Sequence, residues 1–547
     1  MARSRALTFL TLVLLVLSLL ETTLAAAIQR RANAYAPAPA SCPSAPLVRP
    51  ANGLSSAETN YISKRKAKAD VALAAWLKKV NATFATDSLP MVGMTISGGA
   101  YRSFLSGAGI IQAFDSRDGN YGTSGLYQAL TYQAGLSGGA WLTSSLAGNN
   151  WPTVSSLQNT LWGDAFEATV IFPGGFGFQT IASFTAIAGN LAAKELAGFR
   201  NTIVDAWGRL LSYQFLKGDN GGIGTTLSSV TKLSTFTSFN APYPIMTALG
   251  VQLSKGECNP RRNATQYEFH PYEFGSWDAG VSAFTQTAYL GSRLSNGSPT
   301  KPGACTQNYD NLGHVLGTSS SMFNWVCLDT PMLPDGVLKT LQPIVNALHG
   351  QTTRDLYSAY PNPFRNYANS NLVAGDEELT LVDGGESWQI NPIWPFLQPS
   401  RSVGVLFVND NSGDTGDLYP DGTGLYATYQ AAQAAGLTKM PLVPSPATLT
   451  ARGGVTRAMF FGCDDNDAVT IIYLPNRSYT CNSGQKTERM AYSKSETKDM
   501  IANGVGIGTQ GGDAAWPTCL ACAIMKKTGT LLPAACTDCF AKYCYKP

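Results

Sequence analysis

The sequence predicts an α/β fold with a central, mostly parallel sheet flanked by helices, large insertions that form a cap, and disulfide staples. Three apolar runs, at 91–96, 130–134 and 403–408, have the length and composition of buried strands. The first two are each followed by a glycine-rich turn and a helix-compatible segment. Strand–turn–helix units in series are typical of parallel sheets, which bind ligands at the carboxyl ends of their strands.

The first predicted elements are a helix at Asn60–Val80 and the strand at 91–96, which runs into Ser97-Gly98-Gly99-Ala100. A helix is then predicted over about 103–114. Successive amides in such a glycine turn can point at one spot and hold the oxyanion of an acyl-transfer reaction. A plain glycine turn is the alternative. A nucleotide site is disfavoured because the full G-x-x-x-x-G-K-[ST] pattern is absent.

Arg102 lies two residues beyond this turn. A guanidinium at that place can bind a phosphodiester head group through two parallel hydrogen bonds. The alternative is an arginine on the helix surface that pairs with an acid.

The strand at 130–134 leads into Gly135-Leu136-Ser137-Gly138-Gly139, a G-x-S-x-G sequence between a strand and a helix. This is the setting of a nucleophile elbow, in which the serine sits on a sharp, strained turn. Ser137 is therefore the candidate nucleophile, and the amide of Gly138 is a further candidate oxyanion donor. In a chain with 54 glycines the motif also arises by chance, as a turn in which Ser137 caps a helix.

An apolar strand at 379–382 ends in Asp383, followed by two glycines and Glu386. Asp383 is the candidate base, because partial burial raises the pKa of a carboxyl and allows it to take a serine proton near neutral pH. A turn aspartate is the alternative. A histidine triad is disfavoured, since none of the three histidines follows a strand-end motif of the required kind. They are His270, His314 and His349.

The long separation of Ser137 from Asp383 predicts substantial insertions into one catalytic domain at 42–547 rather than a string of domains. One insertion, 169–193, has no charged residue and contains four phenylalanines. We expect either buried packing or a mobile apolar cap over a lipid site.

The amino-terminal 1–27 is predicted to be a secretory signal peptide, with arginines, an apolar core and a small-residue cleavage region in order. A membrane anchor is disfavoured because the apolar core is short. A pro or linker segment at 28–41 contains Arg30-Arg31, a candidate dibasic processing site. The carboxyl terminus lacks the apolar run of a glycolipid-anchor signal, so free secretion is expected.

Four N-glycosylation sequons agree with secretion. They begin at Asn81, Asn263, Asn296 and Asn476. The formal charge of +3 falls close to zero once the leader is removed. Nucleic-acid binding through bulk electrostatics is therefore not expected.

The eleven cysteines indicate a disulfide framework, which suits a secreted chain. Two C-x-x-C pairs and Cys544 form a cysteine-rich segment at 519–544. A zinc ribbon is the alternative for these pairs, and an oxidising compartment favours disulfides over it. The odd total leaves one thiol free or paired with another chain.

Taken together, these motifs resemble the secreted fungal phospholipase B and lysophospholipase family, which is related to cytosolic phospholipases A with a serine–aspartate dyad. The matching stretches are 97–103, 135–139 and 381–386, with further likeness at 317–321, 360–364 and 519–522. The likeness runs from about Cys42 to Cys544.

The resemblance implies that Ser137 is the nucleophile, Asp383 its base and Arg102 the phosphate contact. It implies an oxyanion hole formed by amides around Gly98, Gly99 and Ala100, an α/β core with extra layers, and no metal or other cofactor. The expected substrates are phospholipids and lysophospholipids at a micelle or membrane surface, and no obligate protein partner is expected.

Two departures from the family pattern stand out. Ala100 stands where the family usually has a third glycine, and Ser387-Trp388 stands where it usually continues Asp-Gly, which leaves substrate preference open. Two rival functions remain at this point. One is a patatin-like general carboxylesterase in which Arg102 is structural, and the other is a secreted lipid-binding protein with a dead site.

Overall fold

The computed structural model describes residues 34–173, 178–328 and 353–547. The expected signal peptide, residues 28–33 of the expected linker, residues 174–177 of the expected cap and His349 lie outside these ranges.

Sixteen strands lie in the described part of the chain. They are β1 Ala38–Ser41, β2 Val48–Pro50, β3 Val92–Ile96, β4 Leu130–Leu136, β5 Tyr243–Gly250, β6 Gln266–Phe269, β7 Glu273–Ser276, β8 Ala283–Gln286, β9 Leu294–Ser295, β10 Ser298–Pro299, β11 Ala304–Gln307, β12 Ser358–Pro361, β13 Glu378–Asp383, β14 Val405–Asp410, β15 Met459–Phe461 and β16 Thr470–Pro475. The strands predicted from the apolar runs are β3, β4, β13 and β14.

Ten of the described α-helices have eight residues or more. They are α1 Ser56–Val80, α2 Ala100–Phe114, α3 Gly138–Gly148, α4 Phe178–Leu196, α5 Ile203–Phe215, α6 Leu312–Ser319, α7 Thr423–Ala434, α8 Lys494–Thr509, α9 Trp516–Met525 and α10 Cys536–Tyr543. Helix α2 begins already at Ala100, directly after the glycine turn, which places the amides of that turn at a helix amino terminus.

Twelve strands form one sheet, in the order β15-β16-β14-β3-β4-β5-β6-β7-β8-β2, with β13 paired to β5 and β12 to β13. Strands β16, β14, β3, β4 and β5 are parallel, whereas all other pairings in the sheet are antiparallel. The α/β class with flanking helices is confirmed, but the sheet is mixed rather than mostly parallel. The reason is that helical crossovers join only the central strands, while short hairpins extend the sheet beyond β5.

The hydrophobic core has two main clusters of buried side chains. The larger one joins β3, β4, β14 and β16 to helices α1, α2, α3, α5, α8 and α9. The second lies around β5 to β8, β12, β13 and α6. Strand β4 packs in the larger cluster and β13 in the second, so the segments of both candidate residues are held on packed elements.

Disulfides join distant parts of the chain, as predicted. Cys42 bonds to Cys305 beside the β1–β11 pairing, and Cys463 bonds to Cys544. The two C-x-x-C pairs form the disulfides Cys519–Cys539 and Cys522–Cys536, so these sulfurs are not zinc ligands. Cys481 is the free thiol among the described residues.

The prediction that 28–41 is a pro or linker segment is wrong for its second half, 35–41. Tyr35 is buried, and its hydroxyl donates to Asp205 over 2.7 Å. Residues 38–41 form β1, which pairs with β11. The folded part of the chain therefore reaches back at least to Ala34, because a strand partner and a buried acceptor are available there.

The apolar insertion becomes helix α4 from Phe178 onward. Ile187 and Leu191 are buried on its inner side, and Lys194 is fastened by a buried ion pair to Asp205 of α5. Its outer side carries Ile181 and Leu196, which are exposed. The insertion therefore combines packing with an apolar outer surface. No helix in the described ranges is long and apolar enough to cross a membrane.

Candidate active site

Ser137 lies between the end of β4 and the start of α3, as the G-x-S-x-G sequence predicts. Its backbone has φ of +52° and ψ of −119°, a strained conformation for a residue with a side chain. The glycines after it allow two turns to touch. A Cβ on Gly138 would lie 2.1 Å from the carbonyl oxygen of Ala100, and one on Gly139 would lie 2.1 Å from that of Ile96.

The register of β5 brings Asp383 to this serine. Leu136, the last residue of β4, pairs with Thr247, and Asp383, the last residue of β13, pairs with the next residue, Ala248. Because β6 occupies the other edge of β5, strands β4 and β13 meet end to end along one edge. The Ser137 hydroxyl lies close enough to the Asp383 carboxyl to lower its pKa, and both side chains line one cleft.

Asp383 is buried without a cation among the groups that shift its pKa. Burial raises the pKa of the carboxyl to about 6, against the lowering effect of hydrogen bonds from the Gly385 amide and Ser137. The Gly385 amide donates to Oδ1 over 2.7 Å. A carboxylate with this pKa is basic enough to accept a serine proton at mildly acid or neutral pH.

The predicted amide donors divide into two groups. The Gly98 amide donates to the carbonyl of Ile390 over 3.0 Å, so the prediction that it serves the oxyanion is wrong. The amides of Gly99, Ala100 and Gly138 have no acceptor in the described part of the chain. Gly99 has φ of +131° and Ala100 has φ of +50°. A glycine is the natural residue at the Ala100 position for this reason.

Arg102 is buried on α2, and the alternative of a surface arginine paired with an acid is wrong. Its guanidinium donates to the carbonyl oxygens of Asn411, over 2.8 Å, and of Gln485, and to Thr487 Oγ1 over 3.2 Å. It forms no ion pair with an acid among the residues described. The guanidinium is thus a fixed positive charge in the wall of the site.

One cleft of about 230 Å³ joins these parts. Its lining includes Gly98, Gly99, Arg102, Ser137, Met322, Trp325, Asp383, Gly385, Glu386, Ile390, Ser412, Gly413, Asp414 and Thr487. A larger cleft of about 510 Å³ lies near Arg200 and Arg365 and contains neither Ser137 nor Asp383. The candidate nucleophile, the candidate base and a fixed cation share the smaller cleft, which is therefore the candidate active site.

Comparison with known proteins agrees with this geometry. A family model described as "Lysophospholipase catalytic domain" matches residues 92–547. Lysophospholipase 2 of Aspergillus fumigatus is 36% identical over 95% of this chain and 94% of its own length. Lysophospholipase 1 of Saccharomyces cerevisiae is 36% identical over 94% of this chain and 84% of its own. The chain belongs to the lysophospholipase family. It is an enzyme of the carboxylic ester hydrolase class, as predicted.

The fold of this lysophospholipase is similar to that of human GIVD cytosolic phospholipase A2. The TM-score is 0.67 at 17% sequence identity, over 89% of this chain and 69% of that chain. The same human enzyme in complex with methyl γ-linolenyl fluorophosphonate matches with a TM-score of 0.61 at 19% identity. The likeness confirms a mixed sheet flanked by helices.

Neither described histidine belongs to the site of the lysophospholipase. The Tyr243 hydroxyl lies 2.7 Å from His270 Nδ1, and Nε2 of that ring lies 3.9 Å from Glu58. His314 Nδ1 lies 3.6 Å from the Asp205 carboxylate. Both rings are buried in structural networks, and burial lowers the pKa of His270 to about 4 and that of His314 to about 3.

The end of helix α6 and the turn after it hold the segments of Ser137 and Asp383 together, a role that the sequence did not predict. Ser319 Oγ accepts the Ser137 amide over 3.0 Å and donates to the Thr247 carbonyl over 2.7 Å. The Ser321 carbonyl accepts the Asp383 amide over 2.9 Å. The likeness to the family at 317–321 was the available signal, and the structure gives it a physical role.

Glu386 was also missed as a site residue. Its Oε2 accepts from Asn324 over 2.7 Å, and its pKa is raised to about 8, chiefly by burial and also by repulsion from Asp383. At neutral pH Asp383 is therefore ionised and Glu386 protonated, while burial raises the pKa of Asp414, a third carboxyl in the cleft lining, to about 7. Two carboxyls with separated pKa values on one loop are typical of acid–base sites.

Three of the four sequons lie where a glycan fits. Asn263 and Asn296 are exposed, and Asn81 is partly exposed. Asn476 is buried, and its side-chain amide donates to the carbonyl of Ser483. A glycan has no space at Asn476, so that part of the prediction is corrected.

Proposed function

We propose that this lysophospholipase hydrolyses fatty-acyl esters of lysophospholipids and phospholipids through a Ser137–Asp383 dyad and an acyl-enzyme. The observation that carries the proposal is the β5 register, which places the ends of β4 and β13 at consecutive positions. The carboxyl so placed has no competing cation and an elevated pKa.

In the first half-reaction Asp383 takes the hydroxyl proton of Ser137, and Oγ attacks the acyl carbonyl carbon. The amides of Gly99, Ala100 and Gly138 receive the negative charge on the carbonyl oxygen. The proton on Asp383 then passes to the glycerol oxygen as the C–O bond breaks. In the second half-reaction water gives a proton to Asp383 and attacks the acyl-serine, and the fatty acid leaves as Ser137 regains its proton.

Arg102 supplies the preference for a phosphate-bearing substrate in this scheme. Its carbonyl and hydroxyl partners hold the guanidinium in place without cancelling its charge. A fixed cation in the cleft wall that has no carboxylate in direct contact attracts the phosphodiester of a lipid head group. A general carboxylesterase has no need of this charge.

The decisive experiment is labelling with an alkyl fluorophosphonate, followed by mass mapping of the adduct. We expect modification of Ser137, no labelling of S137A, and normal labelling of S495A, an exposed serine on α8. Fatty-acid release from lysophosphatidylcholine is expected to fall by several orders of magnitude in S137A. An adduct on another residue, or an active S137A enzyme, would refute the dyad.

A second comparison separates this lysophospholipase from a general carboxylesterase. R102M is expected to lose activity on lysophosphatidylcholine while retaining more of its activity on a neutral ester with the same acyl chain. Equal losses on both substrates would show that Arg102 is structural. Activity that disappears in excess chelator would contradict a dyad that works without a metal.

We also propose secretion as a glycoprotein. The support is the amino-terminal leader pattern together with accessible sequons at Asn81, Asn263 and Asn296. Terminal sequencing of protein from the culture medium is expected to show loss of 1–27, or of the chain through Arg31. Glycosidase treatment is expected to lower the mass of the native protein and to have no effect on a variant in which all three asparagines are glutamine.

A further inference from the structure

Trp388 differs from every other tryptophan of the chain. All ten tryptophans lie in the described residues, and Trp388 alone is exposed, with 52% of its surface accessible. Its indole N–H has no acceptor among the side chains and backbone groups described. In most proteins an indole of this size is buried, because its apolar area is large. The exposure of Trp388 is therefore unusual for a tryptophan of this chain.

The backbone holds this side chain outward. Trp388 has φ of +71°, in the left-handed region that bulky residues avoid. Its amide donates to the Gly385 carbonyl over 2.9 Å and closes a tight turn directly after the catalytic aspartate. Strain of this kind persists where the surrounding structure enforces it, and it concentrates at functional sites. Gly385, Glu386 and Ile390, on the same loop, line the active-site cleft.

Arg262 completes the exposed surface. Its guanidinium carbon lies 5.0 Å from the centre of the Trp388 ring, and Arg262 itself is exposed. It forms no ion pair within the described ranges, whereas its neighbour Arg261 pairs with Glu257. Among the described residues, an exposed guanidinium without an ion pair therefore lies over an exposed indole beside the cleft.

We propose that Trp388 and Arg262 form an interfacial anchor, by which the enzyme docks on the surface of a lipid micelle or bilayer with its cleft facing the lipid. Indole rings reside at the level of lipid head groups, where one part of the ring is apolar and the N–H is hydrated. A guanidinium at that depth binds lipid phosphates. The proposal rests on the proposed function, since only a lipid substrate makes a lipid surface the relevant partner.

The test compares substrate below and above its critical micelle concentration. Release of fatty acid from lysophosphatidylcholine is measured for wild type, W388A, W388F and L531A, all in the N263Q background so that a glycan beside Arg262 does not vary. Leu531 is 93% exposed and lies in the carboxyl-terminal segment, so it is the matched control. We expect the ratio of micellar to monomeric rate to fall about tenfold in W388A. The ratio of micellar to monomeric rate should equal that of the wild type in L531A and should be close to it in W388F.

Equal losses on monomers and micelles in W388A would mean that the ring lines the acyl path, and would overturn the anchor. An unchanged ratio would overturn it as well. Binding of S137A protein to phosphatidylcholine vesicles, measured by sedimentation, keeps the inference separate from the reaction. If the wild type hydrolyses neither substrate form, the proposed function fails, while weaker vesicle binding by S137A/W388A than by S137A still supports the anchor.

Discussion

The pKa values of two buried aspartates of this lysophospholipase are shifted in opposite directions. Asp383 and Asp205 are 4% and 0% exposed. Burial raises the pKa of Asp383 to about 6. Burial also acts to raise the pKa of Asp205, but attraction to Lys194 and His314 and several hydrogen bonds outweigh it and lower that pKa to about 2. The two pKa values differ because the carboxyl groups have different partners, since both aspartates are almost fully buried.

The comparison separates carboxylates that hold the fold from one that is available for proton transfer. Asp205 binds Lys194 of α4, the Tyr35 hydroxyl and the Thr202 amide, and so ties three segments together. Glu58, paired with Arg401, is a second example in the core. Asp383 has only the Gly385 amide and Ser137. Leaving a buried carboxylate without a cation costs stability, and it also leaves the group basic.

The largest effect that tests this contrast is expected in D383N. Without the base, kcat should fall by about three orders of magnitude or more. The folded-state pKa lies above the unfolded value, so ionisation of Asp383 lowers stability as pH rises from about 4 to 6. D383N should therefore be more stable than wild type at pH 7.5, by an amount on the order of 2 kcal/mol, and equally stable near pH 3.5. Turnover and thermal unfolding at both pH values check this, and a D383N enzyme less stable at pH 7.5 would contradict it.

D205N is expected to have the opposite effects, a loss of stability with nearly normal turnover of the folded protein. The substitution leaves Lys194 buried opposite a neutral amide, and breaking a buried pair in this way costs about 3–5 kcal/mol of unfolding free energy. Chemistry on the folded fraction should be nearly normal, because Asp205 is absent from the cleft lining. Urea unfolding and active-site titration separate the two quantities. A folded D205N protein with lost turnover would assign Asp205 to the site instead.

The pH dependence of activity sharpens the comparison further. The base must be ionised, so kcat/KM should rise about tenfold per unit of pH below an apparent pKa near 6 and level off above it. Asp205 remains ionised through this whole range, with a pKa of about 2. Initial rates from pH 4 to 7.5 measure the rise. An activity that is flat across this interval would exclude Asp383 as the titrating base.

The smallest effect concerns backbone strain in the reactive turn. Ala100 has φ of +50°, so A100G should raise the unfolding free energy by up to about 1 kcal/mol. The matched control is A108G in the same helix, where Ala108 is a regular interior residue and glycine should cost about 1 kcal/mol. Chemical unfolding of both variants gives the comparison. If A100G is the less stable of the two, the Ala100 conformation is not strained.

The local sequence pattern was sufficient to predict the strands and turns that carry the site residues. The apolar runs at β3, β4, β13 and β14, and the glycine turns after β3, β4 and β13, can be recognised in the sequence. Burial on both faces requires continuous apolar strands, and sharp turns require residues without a Cβ. Local pattern indicated strand-like patches in 239–286 but did not specify which strands pair. The antiparallel strands β6 to β8 lie in a stretch rich in proline and aromatics, and their neighbours are fixed by contacts across the chain.

The sequence by itself determined the family, the candidate nucleophile and the candidate base. Only the tertiary structure decided which groups are free to act. The Gly98 amide donates to the Ile390 carbonyl, the Arg102 guanidinium donates to the Asn411 carbonyl and to Thr487, and Asn476 is buried. The first two of these outcomes depend on partners hundreds of residues away in the chain. The pKa of a buried carboxyl depends likewise on whether the fold brings a cation to it, which no local motif specifies.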